Sequence, residues 1–216
     1  MQKAKTDGSI SLNRRRTGKG IRENNERIIL KAAEVAFSET GFKGTSVTRI
    51  ADLAGIPKAN VHYYFPRKID IYREVIDRVC QLWLDAADFR GSDEPETALR
   101  NYISAKMDLA YSEPLGSKLW AMEVLTGAPI LGEFIREKLL DWFELEKAQV
   151  QSWIDQGQID TVDVQTLFYM IWASTQHYAD FAAQTAILNG DKALSKDQFE
   201  TAKGTISHVI LKGVGL

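Results

Sequence analysis

Between positions 45 and 68 the chain concentrates groups able to hold another molecule: Thr45, Ser46, Lys58, Asn60, His62, Tyr63, Tyr64 and Lys68. A lysine ammonium is a point charge suited to phosphate, and an asparagine amide can pair bidentately with adenine in a major groove. Tyr63 and Tyr64 are adjacent, so at least one ring lies outside any core, where its hydroxyl can reach a phosphodiester backbone. The chemistry on offer is recognition of a nucleic-acid duplex.

A second cluster lies nearer the other end. Ser174, Thr175, Gln176, His177 and Asp180 fall within about two helical turns of an otherwise apolar and aromatic segment, 170–182. Unpaired buried polar groups cost roughly a few kcal/mol each, so such a cluster needs a reason. Trp172 and Gln176 are i,i+4 neighbours and share one helical face. An indole surface beside an amide suits a flat heterocycle with alternating donors and acceptors. Trp120 and Glu123, from an earlier helix, would complete the wall. The competing reading makes Trp172 simple core and lets Gln176, His177 and Asp180 satisfy one another or a dimer partner.

No bond-making constellation accompanies these groups. The chain holds no G-x-x-x-x-G-K-[ST] loop, no G-x-G-x-x-G after a strand, no H-E-x-x-H and no G-x-S-x-G. His62, His177 and His208 are scattered, and the single cysteine, Cys80, excludes an internal disulfide and a cysteine-rich zinc site. Neither enzymatic activity nor a cofactor nor a metal is expected. No basic-then-apolar leader opens the sequence, and no apolar run reaches the ~18 residues of a membrane span, so the reducing cytoplasm is the expected location.

Positioning these groups requires helices. Ile28, Ile29, Ala32, Ala33, Ala36 and Phe37 predict a first helix over 23–39, closed by Thr40 and Gly41. Thr45 or Ser46 can cap a short helix over 47–54. Gly55 ends it, Pro57 suits the first turn of a third helix reaching 64, and Pro66 stops that one. Two short helices joined by a tight glycine turn make a helix-turn-helix, whose second helix enters the major groove. Its small core would comprise Ile50, Ala51, Ala54, Ile56, Val61 and Phe65. Further helices are predicted over 68–89, 96–112, 115–125, 130–156, 162–188 and 196–212, punctuated by Pro114, Pro129, Gly157 and Asn189-Gly190. No stretch alternates as a strand does. The fold class is all-α.

Charge divides the chain in the same place. Through Lys68 there are 14 basic and 6 acidic residues, a net of +8, while the remainder carries a net of −10. A basic quarter on an acidic body fits one end to a polyanion. Residues 1–21 hold Lys3, Lys5, Arg14, Arg15, Arg16 and Lys19 with little to bury, and are expected to form a flexible basic arm. The part of it that runs on to Arg22 adjoins the helix-turn-helix and is expected to touch DNA. The organisation read from the sequence is an arm over 1–21, a DNA-binding domain over 22–67 and a ligand-binding and dimerisation domain over 68–216. Five Trp, seven Tyr and nine Phe supply aromatic surface for both a core and a cavity.

Residues 41–68, GFKGTSVTRIADLAGIPKANVHYYFPRK, resemble the helix-turn-helix of the tetracycline-repressor (TetR) family, and the preceding helix with Ala33, Ala36 and Phe37 fits as well. The resemblance covers roughly 45 residues of the N-terminal domain. It implies an all-helical, Ω-shaped homodimer on double-stranded operator DNA, with three N-terminal helices for DNA and about six more for ligand and dimer. By position it implies that Lys58 and Asn60 read bases and that Thr45, Tyr64 and Lys68 grip phosphates. His62 stands where many members have tyrosine; a neutral imidazole can still donate a hydrogen bond, with pH sensitivity added.

Two further blocks, 170–182 and 122–129, resemble the RutR-type, pyrimidine-sensing branch of that family. This implies a repressor released by a small planar effector such as uracil or thymine, bound by Trp120, Glu123, Trp172 and Gln176. The last two helices are expected to form the dimer through a stripe of Phe199, Ala202, Ile206, Val209 and Ile210. The alternatives are another small aromatic or nitrogenous effector, a constitutive DNA-binding protein, or an enzyme.

Overall fold

The computed structural model describes residues 8–86, 92 and 94–216, with side chains from residue 20 onward. All regular structure among the described residues is helical. The chain divides into two compact units, one running to Val75 and the other spanning Ile76–Leu216. The division falls inside helix α4 (Lys68–Asp85) rather than at its first residue.

In the first unit, α1 (Gly8–Gly44) is interrupted at Gly41, where φ is 68° and ψ 179°. A residue with a Cβ rarely adopts that φ, so the glycine sets where the helix breaks. The other end corrects an expectation. The arm expected to be flexible is helical from Gly8, while residues 1–7 lie outside the described residues. No proline interrupts 8–22, and Leu12, Lys19 and the arginines at 14, 15, 16 and 22 are good helix formers. Once residues 23–39 nucleate a helix, each further residue adds one hydrogen bond, and these residue types let it propagate backward.

Helix α2 (Val47–Ala54) starts at Ser46, whose hydroxyl accepts the backbone N–H of Arg49, and ends at Gly55, left-handed at φ 62° and ψ 29°. Ile56 N donates to Ala51 O at 3.1 Å, folding the chain back before α3 (Lys58–Tyr64). Pro57 serves as the residue before the first turn rather than inside it. Buried Ile29, Ala33, Ala36 and Phe37 of α1 meet Ile50 and Ala51 of α2, Val61 of α3, and Ile71 and Tyr72 of α4. Of the small core predicted, Ala54, Ile56 and Phe65 are only half-buried. Edge-on packing of Phe37 on Tyr72, 4.7 Å between centroids, closes it.

The second unit contains α5 (Pro95–Ser112), α6 (Pro114–Leu125), α7 (Leu131–Phe134), a π-helical turn (Ile135–Leu139), α8 (Leu140–Asp155), α9 (Val164–Asp180), α10 (Ala182–Leu188) and α11 (Lys196–Gly213). Two predicted helices prove to be composite. The one over 130–156 carries the π-helical turn, and the one over 162–188 breaks at Phe181, where φ is −112° and ψ 32°. Neither break contains a Gly or Pro itself. The helix predicted over 68–89 is described to Asp85, its last residues falling outside the described range. Leu99, Tyr102 and Ile103 of α5 pack with Phe143, Val150 and Trp153 of α8, Phe168 and Ile171 of α9, and Ile210 and Leu211 of α11. Asp163 caps α9 by accepting Thr166 N at 2.8 Å, and a Ser195/Gln198 capping box opens α11. No helix among the described residues is long and apolar enough to cross a membrane.

Candidate DNA interface and ligand cavity

Helix α3 has a two-sided build. Val61 is wholly buried, which anchors the helix and leaves Lys58, Asn60, His62 and Tyr63 exposed on its outer side. Tyr63 is 76% exposed and meets the Tyr64 ring edge-on at 5.2 Å. Tyr64 is half-buried, and its hydroxyl accepts a hydrogen bond from Asn25 Nδ2 at 2.8 Å, which fixes the ring against α1. Asn25 gave no signal in the sequence, because its partner is 39 residues away. His62 Nδ1 lies 3.3 Å from Pro66 O, a carbonyl that only an N–H can satisfy. Nδ1 is the donor in that contact, and what Nε2 offers outward depends on the ring's tautomer and charge. Ser46 and Arg22 are exposed, Arg22 bonded to Glu26 at 2.8 Å, which raises its pKa further.

Two residues expected on phosphates are placed otherwise. Thr45 is 2% exposed, and its hydroxyl lies within hydrogen-bonding reach of Gly41 O at 2.8 Å, Ala36 O at 3.0 Å and Thr40 Oγ1 at 2.9 Å. Lys68 donates to Phe42 O at 2.6 Å and Thr45 O at 2.8 Å, with its ammonium 4.3 Å from the Phe42 ring centroid. Together these bonds tie the carbonyls of residues 36, 41, 42 and 45 around the break at Gly41. Thr45 and Lys68 are thus engaged within the chain at the end of α1 rather than left open for the phosphate contact expected of them.

In the second unit a small cavity of about 60 Å³ gathers four of the five tryptophans: Trp83, Trp120, Trp142 and Trp172. Tyr102 and Phe134 join them, with Cys80 and Gln176 at the wall. The π-helical turn matters here, because it allows Phe134 and Leu139, at its two ends, to line the same cavity. Trp172 Nε1 donates to the Tyr102 hydroxyl at 2.6 Å, so its ring, not its N–H, is available to an occupant. The Gln176 amide has no hydrogen-bond partner among the described residues. Burial pushes the Cys80 thiol up to about 12 and the Tyr102 phenol higher still, so both stay protonated at neutral pH.

Three of the four expected ligand residues therefore share one cavity, and Glu123 does not. Glu123 is 4% exposed, and its Oε2 accepts the backbone N–H groups of Ile130 and Leu131, each at 3.1 Å. It caps α7 and so holds Phe134 at the wall. Of the other polar residues of 174–180, His177 stacks on Phe181 with 5.1 Å between ring centroids, and Ser174, Thr175 and Asp180 are hydrogen-bonded. Ser174 and Thr175 donate to carbonyls one turn back at 2.8 and 2.7 Å, and Asp180 accepts Ser117 Oγ at 2.5 Å.

Sequence reasoning missed Lys106, which lines the cavity and is 6% exposed. Its signal was present: Leu99, Tyr102, Ile103, Lys106, Met107 and Ala110 recur at helical spacing, a charge within an apolar stripe. The expected dimer stripe is divided. Phe199 and Ile210 are buried in the unit itself, whereas Val209, 58% exposed, and Met170 of α9, 54% exposed, line a shallow apolar groove between α9 and α11.

A helix-turn-helix in one unit and an aromatic cavity in the other, with all regular structure among the described residues helical, is the build of a DNA-binding transcriptional regulator. Residues 29–75 match the family model for bacterial regulatory proteins of the tetR family, and residues 76–216 match that for the C-terminal region of YcdC-like protein. The HTH-type transcriptional regulator RutR of Escherichia coli (strain K12) is 36% identical over 201 residues, covering 92% of this chain and 95% of that protein. The HTH-type transcriptional repressor BepR of Brucella suis biovar 1 is 33% identical over 99 residues, 44% of this chain and 46% of that one. The ketosteroid transcriptional regulator KstR2 of Mycobacterium tuberculosis shares the fold with a TM-score of 0.68 at 17% identity, covering 88% of this chain and 94% of that one. The chain belongs to the TetR family.

Proposed function

We infer that this regulator is a cytoplasmic repressor, bound to its operator as a homodimer and released by a compact planar heterocycle, with uracil or thymine as the effector. One observation carries the reading: Gln176, Trp172 and Trp120 line one small aromatic cavity, with the Gln176 amide unpaired among the described residues. An amide can offer one donor and one acceptor to an imide edge while an indole packs on the ring. At about 60 Å³ the cavity favours a small ring over a long chain. On the DNA side, Lys58 and Asn60 are assigned to base edges and Ser46, Tyr63 and Arg22 to the backbone. His62 makes a supporting contact. Exposed Met170 and Val209 are the apolar centre assigned to the dimer interface.

Regulation requires the effector to prefer the conformation that misplaces the two recognition helices. Shifting that equilibrium from 1:99 to 99:1 takes about 5.5 kcal/mol, or ~2.7 per site. Helix α4 brings Cys80, Trp83 and Leu84 to the cavity and begins at Lys68, so it is the element through which occupancy is proposed to reach DNA. Calorimetry with uracil, thymine and a purine control tests the reading. Saturable heat from the pyrimidines that disappears in Gln176→Leu is expected. Heat from none of them, or unchanged heat in the variant, contradicts it.

A further inference from the structure

Among the described residues lining the cavity, Lys106 is the charged one. Its ammonium lies 4.0 Å from the Trp83 ring centroid and 5.9 Å from that of Tyr102. No carboxylate or carbonyl of the described residues accepts a hydrogen bond from it. The groups around it are already engaged. Asp180, across on α9, is bound to Ser117 Oγ, and the Tyr102 hydroxyl takes the Trp172 N–H. Cys80 on α4 is a protonated thiol, and Glu146 of α8 acts on Tyr102. Aromatic faces return only part of the hydration that a buried ammonium gives up. What the site lacks is an oxygen acceptor.

Resting on the heterocycle reading of the cavity, we propose that Lys106 is the anchor of the ligand. The ligand class is then a planar heterocycle that sets a negatively polarised or anionic oxygen against this ammonium while its imide edge meets Gln176. A neutral pyrimidinedione offers such an oxygen as a ring carbonyl, and an acidic trioxopyrimidine offers it as an oxyanion. Burial lowers Lys106 to about 7, an effect that Asp180 opposes in part. A ligand oxygen favours the charged form, so binding draws a proton onto Lys106. Affinity is then full below about pH 7 and weakens as pH rises through that value.

The test is calorimetry of the full chain with uracil, barbituric acid and benzoate at pH 6 and pH 8, in two buffers of different ionisation enthalpy. Barbituric acid is anionic at both pH values, so its pH dependence reports the protein. The dissociation constant of the heterocycle is expected to weaken about tenfold from pH 6 to pH 8, with buffer-dependent heat at pH 8 that reveals proton uptake. Lys106→Met should weaken it at least tenfold and remove the pH dependence. Tighter uracil identifies the carbonyl as the source, and tighter barbituric acid the oxyanion; either supports the anchor. Unchanged binding to Lys106→Met, with loss in Gln176→Leu, overturns the anchor and leaves the heterocycle site. Lys106-dependent binding of benzoate alone keeps the anchor and overturns the heterocycle. The absence of proton uptake in the wild-type chain overturns the anchor whatever the variant does, and no binding of any probe overturns both.

Discussion

Lys68 in the DNA-binding unit and Lys106 in the C-terminal unit each lay an ammonium over an aromatic ring, 4.3 Å from Phe42 and 4.0 Å from Trp83. Lys68 adds two carbonyl acceptors and is spent on the end of α1. Lys106 adds none among the described residues and faces a cavity. The difference extends to the units around them. In the first unit the buried polar groups, Thr45 among them, are structural, and the exposed groups of α3 are the ones free to recognise a partner. In the second unit two polar groups without a hydrogen-bond partner among the described residues, Gln176 and Lys106, line a cavity instead. Burial alone does not sort structural from functional residues; the state of the hydrogen bonds does.

The largest expected effect breaks the comparison if Lys68 has been misread. Lys68→Ala removes a charged donor from two carbonyls and should cost about 3 kcal/mol in urea unfolding. Unchanged stability with a uniform loss of affinity for all DNA sequences would return Lys68 to the phosphate backbone. Lys106→Met should act in the opposite direction and raise stability at neutral pH, on the order of 1–3 kcal/mol. The sign follows from the lowered pKa: at low pH the folded chain must bury a charge that the unfolded chain keeps in water. The gain is therefore full below about pH 7, the folded value, and fades as pH rises toward 10.5, the ordinary lysine value. Melting temperatures of both proteins from pH 6 to pH 10 measure it; a loss of stability in the variant would mean that Lys106 has an internal partner. The smallest effect sharpens the first unit. Asn60→Ala should cost ~1–3 kcal/mol on the cognate operator and little on unrelated DNA, read by fluorescence anisotropy.

The helix-turn-helix was legible because its determinants are local. Gly41, Gly55, Pro57 and the apolar spacing around Ile50 and Val61 each act within a few residues, and the structure uses each at its own position. The breaks at 135–139 and at Phe181 were not legible, since tertiary packing imposes them on sequence that would otherwise continue a helix. That Trp172 and Gln176 line one cavity was legible from their i,i+4 spacing on one face of α9, and Trp120 reaches the same cavity from α6. Glu123 is placed on the backbone N–H groups of Ile130 and Leu131 instead of the cavity wall, since a buried carboxylate that caps a helix and one that faces a cavity look alike in sequence. Lys106 was passed over because its environment comes from α4 as well as its own helix.

The account is tested most directly by operator release. A labelled palindromic operator is titrated with the wild-type chain and with Gln176→Leu, and uracil or thymine is then added to each complex. Both proteins are predicted to bind the operator equally, and only the wild-type complex should dissociate as the ligand is added. Dissociation of the Gln176→Leu complex at the same ligand concentration, or a wild-type complex indifferent to every compact heterocycle that fits the cavity, would contradict it.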